Sequence, residues 1–214
     1  SHLATGETAG AERYARRALS TSQAVLGESD PELAEPLAFL ALVLERQQRF
    51  DEALPLVEQA AEIEGERQPE YQLEYVSSLL RAERAESALT VLLSVDRQRI
   101  SEALLSRFDL ARLRAYRGVG DLEAVRGEAQ RLAATEEASP AARVEALMEL
   151  AELAAGEGTE KLSGYLDTIS ELSDETLDAD GELLTRIADL ARLLDRKEVA
   201  EQFYDRAISA RSQK

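Results

Sequence analysis

Residues 47–63 read QQRFDEALPLVEQAAEI. Asp51 and Glu52 are adjacent carboxylates between an aromatic residue and an apolar, alanine-rich run. Two roles compete for them: an acid/base pair in an active site, or the acidic first turn of a helix, where carboxylates meet the positive end of the helix dipole. The flanking residues decide between these. Ala53, Val57 and Ala60 recur at i, i+4 and i+7, one face of a helix, and Leu37, Leu40, Ala41 and Leu44 do the same upstream. The stretch is therefore the bend of a helical hairpin. Gln47, Gln48 and Arg49 end one helix, Phe50 packs the bend, and Asp51 and Glu52 open the next helix.

The rest of the chain repeats this grammar. Helical periodicity broken by short polar or glycine-containing gaps predicts helices over 8–26, 31–46, 50–65, 69–82, 85–99, 101–117, 121–134, 140–155, 159–172, 179–194 and 197–212. Links this short force antiparallel neighbours. Small or apolar residues seven apart mark alternate helices: Ala11 with Ala18, Ala53 with Ala60, Ala88 with Val95, Val125 with Leu132, and Ala200 with Ala207. The first two pairs are offset by 42 residues, a period that signals stacked helical hairpins. Between them, Leu26-Gly27-Glu28-Ser29-Asp30-Pro31 supplies an Asp N-cap and a proline at the first helical position.

Composition agrees. The 214 residues are 44% hydrophobic, with no Trp and only five prolines. Ala, Leu, Glu and Arg dominate, and these lose little entropy in a helix. With 42 acidic and 25 basic residues the net charge is −17, which disfavours nucleic acid and anionic membrane surfaces as partners. Nearly all positive charge is Arg, since Lys occurs only at 161, 197 and 214, and Asn is absent. That bias suits a GC-rich bacterial genome. Without cysteine there is no disulfide, thiolate nucleophile or Cys-ligated metal. The longest apolar run, Pro36 to Leu44, is too short to span a bilayer, so membrane insertion is not expected. The opening Ser1-His2-Leu3 leads us to expect a natural N-terminus further upstream. A cytoplasmic location is the expectation, and an extracytoplasmic one stays open for the same reason.

The hairpins resemble those of the tetratricopeptide repeat family. Leu37, Leu40, Ala41, Leu44, Phe50, Ala53, Val57 and Ala60 carry the resemblance in one unit. Leu184, Ile187, Ala188, Ala200, Tyr204 and Ala207 carry it in the last. The 42-residue spacing near the N-terminus is similar to that of kinesin light chains. The resemblance implies an all-α, right-handed superhelical array of antiparallel hairpins, with about eleven helices in one repeat domain spanning 1–214. Its units would be 1–27 (partial), 31–66, 69–99, 101–134, 140–172 and 179–212. In the unit at 140–172, Gly156-Glu157-Gly158 would be the turn, and Ser163 stands where Ala belongs.

The resemblance also implies non-catalytic binding of a peptide or partner helix in a concave groove lined by the first helices of successive units. Matching positions are Phe39, Leu42, Glu45 and Arg46; Leu73, Ser77, Leu80 and Arg81; Leu110, Arg114 and Arg117; and Thr185, Asp189 and Arg192. The family's clamp for a C-terminal carboxylate uses Lys and Asn on these helices, and this chain has neither before residue 161. Charge patterning adds Arg107. Residues 106–132 hold six arginines against four acids, and Arg107, Arg114 and Arg117 share one helix face, suited either to solvent and intrachain pairs or to the acidic groups of a partner.

Little else in the sequence points to chemistry. His2 stands alone, so Ser-His-Asp and Cys-His arrangements cannot be built. The glycine pairs at 118/120 and 156/158 fit no phosphate-binding pattern and read as turns. No cofactor and no metal is expected. Two other readings remain: a regulatory or scaffolding segment of a larger bacterial protein, and an α-helical enzyme working through paired carboxylates.

Overall fold

Several helix starts carry a side-chain cap. Asp30 accepts a hydrogen bond from the Glu32 amide at 2.9 Å, ahead of Pro31. Asp121 accepts from the Ala124 amide at 3.0 Å, and Ser139 from the Ala142 amide at 3.3 Å just before Pro140. Each side chain satisfies an amide that has no partner inside its helix. The computed structural model describes residues 2–27, 30–63, 65–173 and 181–212. The expected start of the tenth helix at 179 lies outside them, as do Glu28 and Ser29.

The described residues are all-α: α1 (His2–Leu26), α2 (Ala34–Arg46), α3 (Phe50–Glu62), α4 (Gln68–Arg81), α5 (Ala85–Ser94), α6 (Glu102–Val119), α7 (Leu122–Ala134), α8 (Pro140–Leu153), α9 (Thr159–Ser173), α10 (Gly181–Leu193) and α11 (Lys197–Ser212). Single 3₁₀ turns precede α2 and α6. Within each unit consecutive helices pack on one another, as expected for tetratricopeptide-like hairpins.

The chain divides into two compact units, Ser1–Val119 and Gly120–Lys214. In the first, α1 to α6 pack each on the next, and α4 also touches α2 and α6. Its core holds Leu33, Leu37, Leu40, Leu44, Val57 and Tyr71 around α2, then Leu73, Val76, Leu79, Ala88 and Phe108 around α4. In the second, α8 is buried on most of its circumference, and Met148, Leu162, Leu166, Ile169, Leu184, Ile187 and Phe203 pack beside it.

The inner positions seven apart are buried in α3 (Ala53, Ala60), α7 (Val125, Leu132) and α11 (Ala200, Ala207). Other positions differ. In α1 the core takes Ala15 and Leu19, and Ala18 is exposed; among the described residues α1 packs on α2 and the 3₁₀ turn before it, whereas α3 is clasped by both α2 and α4. In α9 the inner pair is Leu162 and Ile169, one residue ahead of the register expected from Ser163. Helix α5 ends at Ser94, five residues early, because Asp96 caps a separate 3₁₀ turn through the Gln98 amide at 3.0 Å. Gly118 belongs to α6, and the turn proper is Gly120, whose φ of +78° favours glycine.

The bend at residues 47–49 is one of three with the same geometry. Gln48, Glu83 and Asp195 hold φ of 61°, 58° and 57° without being glycine, at roughly 1–2 kcal/mol each. In each, the following arginine amide reaches back to the helix just ended: Arg49 to Leu44 O at 3.0 Å, Arg84 to Leu79 O at 2.8 Å, Arg196 to Ala191 O at 2.9 Å. This pattern satisfies terminal carbonyls. The side chain of each arginine then grips the preceding second helix. Arg49 donates to Glu12 at 2.7 Å, Arg84 to Asp51 at 2.7 Å, and Arg196 to Asp167 at 2.7 Å.

Candidate functional site: a groove on the first helices

Asp51 and Glu52 are ion-paired first-turn acids. Glu52 accepts from Arg49 at 2.7 and 2.6 Å, and that contact holds its carboxyl below the usual range, the reverse of what a general acid needs. Buried acids elsewhere are matched by arginine too: Glu45 by Arg81 at 2.6 Å, Asp109 by Arg97 at 2.6 Å and Arg112 at 3.1 Å, and Glu149 by Arg186 at 2.9 Å. Breaking any of these pairs would strand a buried charge.

In the first unit, α2, α4 and α6 present their open faces to one groove. An open cavity of about 580 Å³ is lined by Phe39, Leu42 and Glu45 from α2, by Tyr71, Glu74, Ser77 and Arg81 from α4, and by Arg107 from α6. Phe39 and Leu42 keep 49% and 44% of their surface, unusual for large apolar side chains beside a core. A neighbouring cavity of about 370 Å³ shares Ser77, Arg81 and Arg107 and adds Leu73, Leu80, Leu110 and Arg114. Arg107 stands where the two meet, exposed and without an ion-pair partner among the described residues.

The sequence-predicted residues thus divide. Phe39, Leu42, Ser77, Arg81 and Arg107 meet at the first cavity, and Arg114 flanks the second. Leu73 is a core residue whose edge closes the second cavity, since it packs with Val76 and Phe108. Arg46 and Arg117 are exposed and line neither cavity. Arg192 lies in the second unit, paired with Asp189 at 3.3 Å, beside a cavity of about 700 Å³ floored by Met148, Leu162 and Leu190.

Sequence reasoning missed Arg67, Tyr71 and Glu74. Arg67 stacks over the Tyr71 ring at 5.2 Å. Glu74 is crowded on the groove wall, where desolvation pushes its pKa up against the pull of Arg67 and Arg107. The signal was present: Arg67, Glu74 and Arg81 are spaced by seven, so they share a face.

These stacked hairpins, with an open face on their first helices, define a helical-repeat protein. Residues 1–63 match the tetratricopeptide repeat family model. No curated protein matches the sequence significantly. Among solved structures, the crystal structure of BtubC (BKLC) from P. vanneervenii is similar, with a TM-score of 0.58 and 13% identity over 97% of this chain and 89% of that one. At that identity the likeness shows the fold. The first hairpins, within residues 1–63, carry the tetratricopeptide-repeat pattern, and the chain shares the fold of that solved structure. Among the described residues, no helix is long and apolar enough to cross a membrane.

Proposed function

We propose that the chain is a non-catalytic protein-interaction module whose first-unit groove holds a peptide or helix of a partner protein. The observation that carries this is the half-exposed pair Phe39 and Leu42 beside Arg107 in one open cavity. An apolar side chain of the partner packs on Phe39 and Leu42, and a partner carboxylate reaches Arg107, with Arg114 alongside and Ser77 and Arg81 between. Arg46 and Arg117 flank this face, and Arg192 offers a comparable rim in the second unit. The internal matching of buried acids by arginine supports a binding role over carboxylate chemistry.

The test is affinity capture from native lysate with wild-type chain, Phe39→Glu, Arg107→Glu and a control on an exposed turn, Glu136→Arg, each checked for folding by circular dichroism. Proteins retained by wild type and the control, and lost from both groove variants, are the expected result. Equal recovery by all four sinks the groove.

A further inference from the structure

The larger cavity of the first-unit groove is lined by three carboxylates, Glu35, Glu45 and Glu74, and three guanidiniums, Arg67, Arg81 and Arg107. Most of these charges are matched inside the chain. Arg81 donates to Glu45 at 2.6 Å, and Arg67 stands 3.6 Å from Glu35 and 3.8 Å from Glu70. Two groups are left over, Glu74 on α4 and Arg107 on α6. Both face the cavity, and neither has an ion pair among the described residues. Arg107 pulls on the Glu74 carboxyl from a distance without pairing with it.

The wall around Glu74 is rich in open acceptors. Ser77 Oγ donates to Leu73 O at 2.8 Å, and Ser78 Oγ donates to Glu74 O at 3.0 Å. Both hydroxyl hydrogens are thus spent on their own helix, and lone pairs remain for the cavity. Glu45 gives one oxygen to Arg81; the other, Oε1, is buried and accepts no hydrogen bond among the described residues. A buried acceptor without a donor is destabilising, so this wall gains from a donor brought to it. Desolvation already holds the Glu74 carboxyl above its usual range, and the charges of Glu45 and Glu70 add to that against Arg67 and Arg107.

We infer that the groove takes a partner segment of mixed charge: a lysine or arginine side chain of the partner sits on Glu74, beside Ser77 and Glu45, while the partner carboxylate sits on Arg107. This rests on the groove's proposed binding role and names the chemistry it takes. Phe39 and Leu42 line the α2 wall of the same cavity, so the apolar side chain of the segment lies between its two charges. A segment with an acid in place of the cation meets Glu74 and Glu45 in repulsion, and the wall that accepts one partner rejects the other.

The experiment is selection of a displayed random-peptide library on the 214-residue chain, run in parallel on wild type, Glu74→Gln, Arg107→Gln and Phe39→Glu, each checked for folding by circular dichroism. Wild type should enrich peptides that place Lys or Arg and Asp or Glu around an apolar residue. Glu74→Gln should keep the apolar residue and the acid and lose the base. Arg107→Gln should keep the base and lose the acid. In one enriched peptide made synthetically, replacing the cation by Gln should weaken binding to wild type about tenfold and leave binding to Glu74→Gln unchanged. Wild-type peptides with an acid and an apolar residue but no base overturn the inference and leave the groove standing. A replacement that weakens binding to wild type and Glu74→Gln alike overturns it too, because the cation would then contact another group. If wild type enriches nothing that Phe39→Glu loses, the groove falls and the inference falls with it.

Discussion

Gly118 and Gly127 are both helical glycines, and the same substitution should move them in opposite directions. A Cβ added at Gly118 would stand 2.5 Å from the Ala85 Cβ, across the contact between the end of α6 and the start of α5. Carbon atoms rest at about 3.5–4.0 Å, so the helices must part by roughly 1 Å, and such overpacking costs about 1–3 kcal/mol. Alanine returns about 0.5–1 kcal/mol of helix propensity, less this close to a helix end. Gly118→Ala should therefore destabilise by about 1–2 kcal/mol. Gly127 has nothing within 4 Å of its added Cβ, so Gly127→Ala collects the propensity alone and stabilises by about 0.5–1 kcal/mol. Urea unfolding followed by circular dichroism reads both, and a thermal scan should shift by about 2–4 °C per kcal/mol for a chain this size. The companion variant Ala85→Gly/Gly118→Ala removes the opposing methyl and should recover most of the loss. If Gly118→Ala matches or exceeds wild-type stability, or the double variant fails to recover, the close approach of α5 and α6 is wrong.

Leu37→Ala in the first unit and Ile187→Ala in the second each empty a fully buried site, and each should cost about 2–5 kcal/mol in urea titrations, against near-neutral Thr21→Ala on an exposed face. Glu12, Glu52 and Glu157 are held below the usual carboxylate range, chiefly by hydrogen bonds from Arg16, Arg49 and Lys161 respectively. Their folded pKa values lie below the unfolded ones, so their contribution is full above the unfolded range and is lost as pH falls through the folded values. Thermal scans from neutral pH to pH 3 should fall, and Arg49→Gln should flatten the decline. Tyr75 is pushed up to about 12, first by burial and then by donating to Glu58 at 2.8 Å. Its stabilisation holds below the ordinary tyrosine pKa and disappears as pH rises towards 12; ultraviolet titration should show a late-ionising tyrosine that Tyr75→Phe removes.

The helices were legible because each is decided by neighbours in sequence. Periodicity, Asp30 before Pro31, and Ser139 before Pro140 place helix starts to within a few residues. What local pattern cannot supply is the number of helices clasping a given face. Ala11 and Ala18 carry the same spacing as Ala53 and Ala60, yet among the described residues the second pair lies between α2 and α4 while Ala18 is exposed. Ser163 misled for a related reason: the repeat pattern put a small residue at that position, and the space in the second unit admits Leu162 and Ile169 instead. In the groove, Phe39 and Leu42 could be placed by position within the repeat and Arg107 by charge patterning. The fate of Glu45 could not, since its partner Arg81 is 36 residues away.

The arginines of the bends have a consequence for assembly of the fold. Each closes its own hairpin through the backbone and holds the hairpin before it through the side chain, across 37, 33 and 29 residues for Arg49, Arg84 and Arg196. A hairpin formed alone has its bend but lacks the carboxylate that its arginine holds on the hairpin before it. The second bond forms only when two consecutive hairpins are present, so it rewards adjacency and not the single hairpin. Within each unit, order should therefore spread from hairpin to neighbouring hairpin, as in a zipper, and removing one hairpin should weaken the next through a residue it does not own.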